Sequence, residues 1–215
     1  MNSESRTVYL FLPGINHLKT PFQAMRGVRR FPSKAKTWVN INTPHKGDEF
    51  IYLAMPITRA FFSRDRARRF ASVLTRYLER DFKITVVAHS NGANVLSKAL
   101  SHVPLRLLAA NPISKVVFIS SALQGHLTDS TIYSTFRNGG IRFMENWVAG
   151  QDKAMAWAKI FGKIVGYGSE LGRMTRDEFI VHTGTRGFYK IDSEKGHSSW
   201  FDSESFESTM LDLTR

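Results

Sequence analysis

Ser90 lies in a short polar stretch, residues 89–92, between an apolar run at 84–88 and a helical pattern. The apolar residues after it recur at the spacing of one helix face: Val95, Leu96, Ala99, Leu100 and Val103. A serine at such a strand-to-helix corner is raised above the carboxyl ends of a parallel sheet, where its hydroxyl can attack a carbonyl carbon. The strand and the helix approach each other so closely at this corner that the residues two before and two after the serine must be small. These residues are Ala88 and Gly92. The pattern predicts a nucleophile, and the alternative is a structural turn serine.

A serine nucleophile needs an imidazole to accept its proton and a carboxylate to orient that imidazole. In enzymes with the strand–turn–helix serine, the chain order is serine, acid, histidine. Asp152 follows the strand predicted at 141–149, two along the sheet from the serine strand, and is the predicted acid. Its alternative role is to cap the helix that follows. Three other aspartates are reserves, the first of them next best if the acid follows the earlier strand: Asp129, Asp177 and Asp192.

His197 is the predicted base because it follows Gly196 in a polar loop between the last predicted strand and the closing helix. The other histidines after Ser90 lack this late position with flexible neighbours: His102, His126 and His182. The alternative for His197 is a solvated loop histidine. His89 is expected to point away from Ser90 and to serve in packing, because neighbouring strand side chains alternate. No spacing of histidines and acids predicts a metal cage, so neither a metal nor another cofactor is expected.

The oxyanion that forms at a substrate carbonyl needs two preorganised N–H donors. The backbone N–H of Asn91 is one candidate, because it stands at the N-terminus of the helix after the serine, where the helix dipole favours negative charge. The other should come from the turn after the first strand, where the Ile15 N–H is predicted. Gly14 would permit the close approach that this turn requires, and the alternative is an ordinary turn glycine.

Apolar runs and helical periodicity alternate along the chain. Strands are predicted at 7–13, 36–41, 84–88, 115–119, 141–149, 178–182 and 188–191. Helices are predicted at 21–31, 63–81, 152–164 and 203–213, besides the one after Ser90; 42–49 is expected to be a loop and 50–62 an irregular apolar stretch. This alternation is typical of an α/β fold with a mostly parallel sheet covered on both faces, and ligands of such sheets bind at the carboxyl ends of the strands.

The chain has 215 residues, 42% of them hydrophobic, which fits a single domain over residues 1–215 with a full core. It contains no cysteine, which excludes disulfides and thiolate chemistry. Its first residues are polar, and no apolar run approaches the ~20 residues of a membrane helix. The composition therefore predicts a soluble, cytoplasmic protein.

The formal charge of +12 favours attraction to polyanions such as nucleic acid or anionic lipid. At 100° per residue, the arginines of the 63–81 helix fall on the half opposite its apolar side: Arg64, Arg66, Arg68, Arg69, Arg76 and Arg80. This surface, leaving aside Arg66, is a candidate for weak polyanion binding. The alternative is an ordinary solvated helix face, which the absence of interleaved aromatic residues favours.

Four segments together resemble the signature positions of the α/β-hydrolase superfamily, in its order: Pro13-Gly14, Ala88-His-Ser-Asn-Gly92, Gly150-Gln-Asp152 and Gly196-His197. Ala88 at the first small position is similar to the variant of small bacterial lipases. The segment Gly166-Tyr-Gly168 resembles one found in bacterial and phage α/β-hydrolase-like proteins. The resemblance implies a mainly parallel central sheet flanked by helices on both faces, a Ser/Asp/His triad and acyl-ester hydrolysis.

About twenty residues separate the strands that end at 119 and begin at 141, which leaves no room there for a large cap domain. The segment 152–172 could instead cover the site as a lid, or form a packed crossover helix with a loop. The favoured function is hydrolysis of a carboxylic ester through an acyl-enzyme, and amide, thioester or acyl-transfer chemistry would use the same groups. The alternative is a catalytically inactive hydrolase-like scaffold that binds nucleic acid or another polyanion through its basic surface.

Overall fold

A computed structural model describes residues 6–14, 25–43, 45, 47–53, 63–123, 125–153 and 171–215. The strands are β1 Thr7–Leu12, β2 Glu49–Tyr52, β3 Lys83–His89, β4 Ile113–Ile119, β5 Ile141–Ala149 and β6 Gly187–Asp192. The helices are α1 Met25–Asn42, α2 Ser63–Leu78, α3 Gly92–Leu100, α4 Leu105–Ala110, α5 Thr131–Arg137, α6 Arg176–Thr183 and α7 Phe206–Thr214.

The six strands form one sheet in the order β2-β1-β3-β4-β5-β6, and every neighbouring pair is parallel. Their carboxyl ends therefore meet at one edge. Ala88, near the end of β3, pairs with Leu12 on one side and Phe118 on the other. On the far side of β4, Ile119 pairs with Trp147 of β5. The strand before Ser90 is thus central, and the strand before Asp152 lies two positions away, as the sequence predicts.

Apolar side chains cover both faces of the sheet. Val86 of β3 belongs to the larger cluster, which includes Leu74 of α2, whereas the next residue, Val87, belongs to a second cluster with Phe31 of α1 and Trp200. Strands buried on both faces need apolar residues at consecutive positions, which explains why they read as continuous runs in the sequence.

The strand predicted at 36–41 is wrong, because these residues form the second half of helix α1. Phe31, Ala35 and Val39 are all buried, and their spacing of four residues places them on one helix face. The short helix predicted at 21–31 overlaps the beginning of the same element, which starts at Met25 in the described part of the chain.

Two further predictions near the sheet edges are corrected. Residues 178–182 belong to helix α6, whose first turn is fixed by a capping box between Thr175 and Glu178. Residues 49–52 form strand β2, which the irregular apolar pattern hides. Asp48, just before β2, accepts a hydrogen bond from the Thr7 N–H at 2.7 Å and so ties the starts of β1 and β2 together.

The remaining strand predictions are confirmed, as are the helix after Ser90, the long helix from residue 63 and the closing helix. The helix predicted at 152–164 lies mostly outside the described residues, as does the segment 166–168. Among the helices that the structure describes, none has the length and apolar content needed to cross a bilayer.

Candidate active site

Ser90 occupies the corner between β3 and α3 with a φ of 53°. This left-handed conformation is costly for a residue with a side chain and persists only where surrounding contacts impose it. Here the Ser90 N–H donates to the Ile119 carbonyl at 3.2 Å, and the Ser90 carbonyl accepts from the Ala122 N–H at 2.9 Å. The first bond reaches the last residue of β4, and the second reaches the segment that directly follows it. The strained corner is therefore held by the neighbouring strand, and the half-buried serine sits at the carboxyl edge of the sheet.

Two glycines allow the backbone around Ser90 to pack as closely as it does. A Cβ on Gly92 would overlap the Leu12 carbonyl oxygen, so the start of α3 lies directly against the end of β1. A Cβ on Gly14 would overlap the Ser90 Cβ and lie 2.6 Å from its Oγ. The turn after β1 therefore touches the serine side chain. Ala88 is fully buried between neighbouring strands, where its single methyl group fits.

Asp152 and His197 form a close pair: Oδ2 of the aspartate lies 2.8 Å from Nδ1 of the histidine. The Asp152 side chain is 5% exposed and the His197 side chain 18% exposed. A buried carboxylate on Nδ1 keeps the proton on that nitrogen and leaves Nε2 able to accept another. Two backbone bonds hold the loops together, from the Gly150 N–H to Asp192 and from the Gln151 N–H to Lys195. The pair is thus built from two loops fixed to each other.

His89 lies against His197, with ring centroids 4.9 Å apart, and its Nε2 is 3.1 Å from the His197 carbonyl oxygen. Burial, followed by the nearby His197, lowers the pKa of His89 to about 3. The ring is therefore neutral, and its Nε2–H donates to the carbonyl. The expectation that His89 serves only in packing is wrong in this respect. A sequence signal did exist, because a histidine buried in a strand needs a hydrogen-bond partner.

The His197 ring thus lies beside His89, the residue before Ser90, and its Nδ1 contacts Asp152. The reserve acids make other contacts, and the carboxylate on His197 Nδ1 is that of Asp152. Asp192 accepts a hydrogen bond from the Glu194 N–H and pairs with Lys195, and Asp177 stands in the first turn of α6. Asp129 belongs to a short 3₁₀ turn that follows β4.

The backbone nitrogen of Asn91 lies next to the turn after β1, 3.2 Å from the position of a Cβ on Gly14. The Asn91 side chain accepts a hydrogen bond from Asn94 at 2.7 Å and is buried. Asn91 precedes the first turn of α3, where the helix dipole favours a negative charge. The second predicted donor, Ile15, lies outside the described residues.

Comparison with known proteins places this geometry in a wider group. No family model matches the sequence, and no curated protein matches it. A protein from Xanthomonas campestris pv. campestris, described as a hydrolase of the alpha/beta superfamily, is 10% identical with a TM-score of 0.52, covering 97% of this chain and 96% of that one. Lipase BlEst2 of Bacillus licheniformis is 12% identical with a TM-score of 0.51, covering 98% and 93%. Dienelactone hydrolase of Anabaena variabilis is 12% identical with a TM-score of 0.51, covering 99% and 85%.

This chain has the α/β-hydrolase fold. Its described connection from β4 to β5 contains only the 3₁₀ turn at Leu127–Asp129 and helix α5, which packs against α3. That part of this α/β-hydrolase fold therefore carries no large cap. Within the described residues, no group of three or more His, Cys, Asp or Glu is arranged to hold a metal ion.

Arg66 is a buried hydrogen-bond donor to the turn after β1. It is only 3% exposed, and its Nη2 donates to the Pro13 carbonyl at 3.0 Å. The assignment of Arg66 to the exposed half of its helix is therefore wrong. Arg66 lies one turn before the buried Phe70, and this i, i+4 relation places it along the buried side. Other predicted surface arginines of this helix are exposed, namely Arg68, Arg69, Arg76 and Arg80, while the Arg64 side chain is outside the described part.

Proposed function

We propose that this protein is a serine hydrolase that cleaves a carboxylic ester through an acyl-enzyme intermediate. The observation that carries the proposal is the Asp152–His197 pair, held against the end of the strand that leads into the strained Ser90 turn. A serine in this conformation, an imidazole with a buried acid partner and a nearby helix N-terminus are the three parts that acyl transfer needs. The occurrence of a lipase among proteins of this fold favours an ester as the substrate.

In the first half of the reaction, Ser90 Oγ attacks the ester carbonyl carbon while His197 Nε2 takes the hydroxyl proton. The carbonyl oxygen becomes an oxyanion, which the Asn91 N–H stabilises together with a donor from the turn after Gly14. The intermediate collapses as the bond to the alcohol oxygen breaks, and His197 returns its proton to that oxygen. Asp152 keeps the imidazole oriented and stabilises its positive charge.

In the second half, water replaces the alcohol. His197 takes a proton from the water as it attacks the acyl-enzyme carbonyl, a second oxyanion forms, and the bond to Ser90 Oγ breaks as the proton returns to the serine. The carboxylic acid leaves and the enzyme is restored. The reaction involves no oxidation or reduction, and its net result is the addition of one water across the ester bond.

A fluorophosphonate probe tests this proposal, because it phosphonylates only an activated serine. We expect the wild-type protein to be labelled and Ser90→Ala not to be. Ser72→Ala, at an exposed position on α2, is the matched control and should label like the wild type. An unlabelled wild type, or labelling that persists in Ser90→Ala, would contradict the assignment of the nucleophile. Salt-sensitive DNA binding by an unlabelled wild-type protein would favour the scaffold alternative.

A further inference from the structure

A small pocket lies between the carboxyl ends of β1 and β2 and the helices α2 and α3. Its volume is about 180 Å³. Leu12, Leu53, Phe70 and Val95 supply apolar wall, and Arg66 and Arg69 supply two guanidinium groups. We refer to this cavity as the arginine pocket.

The arginine pocket adjoins the turn after β1, which contains Pro13 and Gly14 and leads to the second proposed oxyanion donor, because Leu12 lines the pocket. Leu12 immediately precedes Pro13, whose carbonyl accepts the hydrogen bond from Arg66 at 3.0 Å. The next residue, Gly14, touches the Ser90 side chain. On the other side, Val95 is one helical turn after Asn91 and donates to its carbonyl at 3.3 Å. One wall of the arginine pocket is therefore two residues along the chain from the glycine that touches Ser90.

The two arginines are suited to hold an anion. They are three residues apart on α2, so their side chains lie on one side of the helix. The fork of a guanidinium matches the oxygens of a carboxylate or phosphate, and hydrogen bonds between such charged groups are stronger than neutral ones. Arg66 is almost fully buried whereas Arg69 is exposed, so one cation lies inside and the other at the mouth. The apolar wall raises the strength of the attraction by excluding water.

Two other arginines of α2 have a different setting. Arg68 and Arg76 line a different, outer groove together with Glu79 and His102. This groove contains an acidic side chain and shares no described lining residue with the arginine pocket. The outer arginines therefore provide a matched control on the same helix.

We propose that the arginine pocket binds an anionic end of the substrate, so that the ester cleaved at Ser90 carries a carboxylate or phosphate group near its scissile carbonyl. This inference rests on the proposed serine-hydrolase function and narrows its substrate class to acidic esters.

The test compares two ethyl esters of the same shape, monoethyl succinate and ethyl 4-methylpentanoate, at constant ionic strength. In the second ester, two methyl groups replace the two carboxylate oxygens. We expect the wild-type kcat/KM to be about 10- to 100-fold higher for monoethyl succinate, the range of one hydrogen bond between charged groups. Arg69→Gln should reduce this ratio, with Arg66 retaining part of the preference, while Arg68→Gln should preserve it. Equal or faster cleavage of the neutral ester by the wild type, or an unchanged ratio in Arg69→Gln, would overturn the proposal.

A binding measurement separates failure of the pocket from failure of the enzyme. Calorimetric titration of Ser90→Ala with succinate and with inorganic phosphate should show binding that adding Arg69→Gln weakens, and the ligand that binds more tightly identifies the anion. If Ser90→Ala binds the anion and fluorophosphonate fails to label the wild-type protein, the pocket is upheld and the hydrolase is rejected. Labelling without anion binding or ester preference would uphold the hydrolase and reject the pocket. Circular dichroism of each variant checks that it is folded.

Discussion

Two histidines lie side by side at the carboxyl edge of the sheet, yet their surroundings differ in every respect that matters for proton transfer. His197 is partly exposed, and its Nδ1 meets the Asp152 carboxylate. His89 is fully buried, its pKa is lowered to about 3 by burial and then by His197, and its Nε2 meets a backbone carbonyl. An imidazole can relay protons only where the charged form is stabilised, as it is beside a carboxylate. We therefore propose that His197 transfers the proton and that His89 positions His197.

The largest effect should follow from removing the proton-transferring histidine. His197→Asn leaves Ser90 without a base, and we expect kcat for ester hydrolysis to fall by about 10⁶, as for loss of the histidine in other serine triads. Initial rates with an ethyl ester measure this fall. The exposed His102→Asn is the control and should keep its rate. If His197→Asn retained a tenth of the wild-type rate, a group other than His197 would have to be the base.

Loss of the acid partner should cost less than loss of the imidazole. Asp152→Asn keeps the side-chain volume but removes the charge that holds the tautomer, and we expect kcat to fall by about 10⁴. The same assay measures it, with Asp129→Asn, exposed and remote from the pair, as control. If Asp152→Asn behaved like its control, the aspartate would have only a structural role in its loop.

The strand–turn–helix corner at Ser90 could be predicted from the sequence because its determinants are local. An apolar run, a serine and small residues at fixed positions all fall within a few residues of Ser90. Asp152 and His197 are 45 residues apart but follow from chain order, since parallel strands bring the ends of their loops to one edge. The sequence patterns of the strands and helices around these residues are therefore enough to predict their positions.

Features created by packing between distant segments could not be predicted in this way. The contact between His89 and His197 joins residues 108 positions apart and leaves no periodicity in the sequence. Arg66 is buried because the Pro13 carbonyl needs a donor, and polarity alone places an arginine at the surface. In 36–41, six residues are too few to separate alternation from helical spacing, so the sequence predicts a strand where the second half of α1 lies.

A smaller effect should come from the buried histidine. His89→Leu leaves the His197 carbonyl without its donor, and we expect kcat to fall by about 5- to 100-fold, the cost of an unsatisfied buried polar group. KM should change little, because His89 acts through the orientation of His197. His89→Gln places an amide N–H near the Nε2 position and should restore most of the rate. A fall of equal size in both variants would indicate a packing role alone.

The smallest effect concerns stability rather than rate. The pKa of His89 is about 3 in the folded protein against 6.5 for the free side chain, so below pH 6.5 the unfolded chain binds a proton that the folded protein excludes. The contribution of neutral His89 is therefore fully present above pH 6.5 and is lost as the pH falls toward 3, at up to ~1.4 kcal/mol per pH unit. Urea unfolding at pH 7 and pH 5 measures the difference, which should amount to ~2 kcal/mol for the wild type beyond that of His89→Gln. Equal pH dependence in the two proteins would mean that His89 is accessible to protons, and the distinction between the two histidines would then be one of position alone.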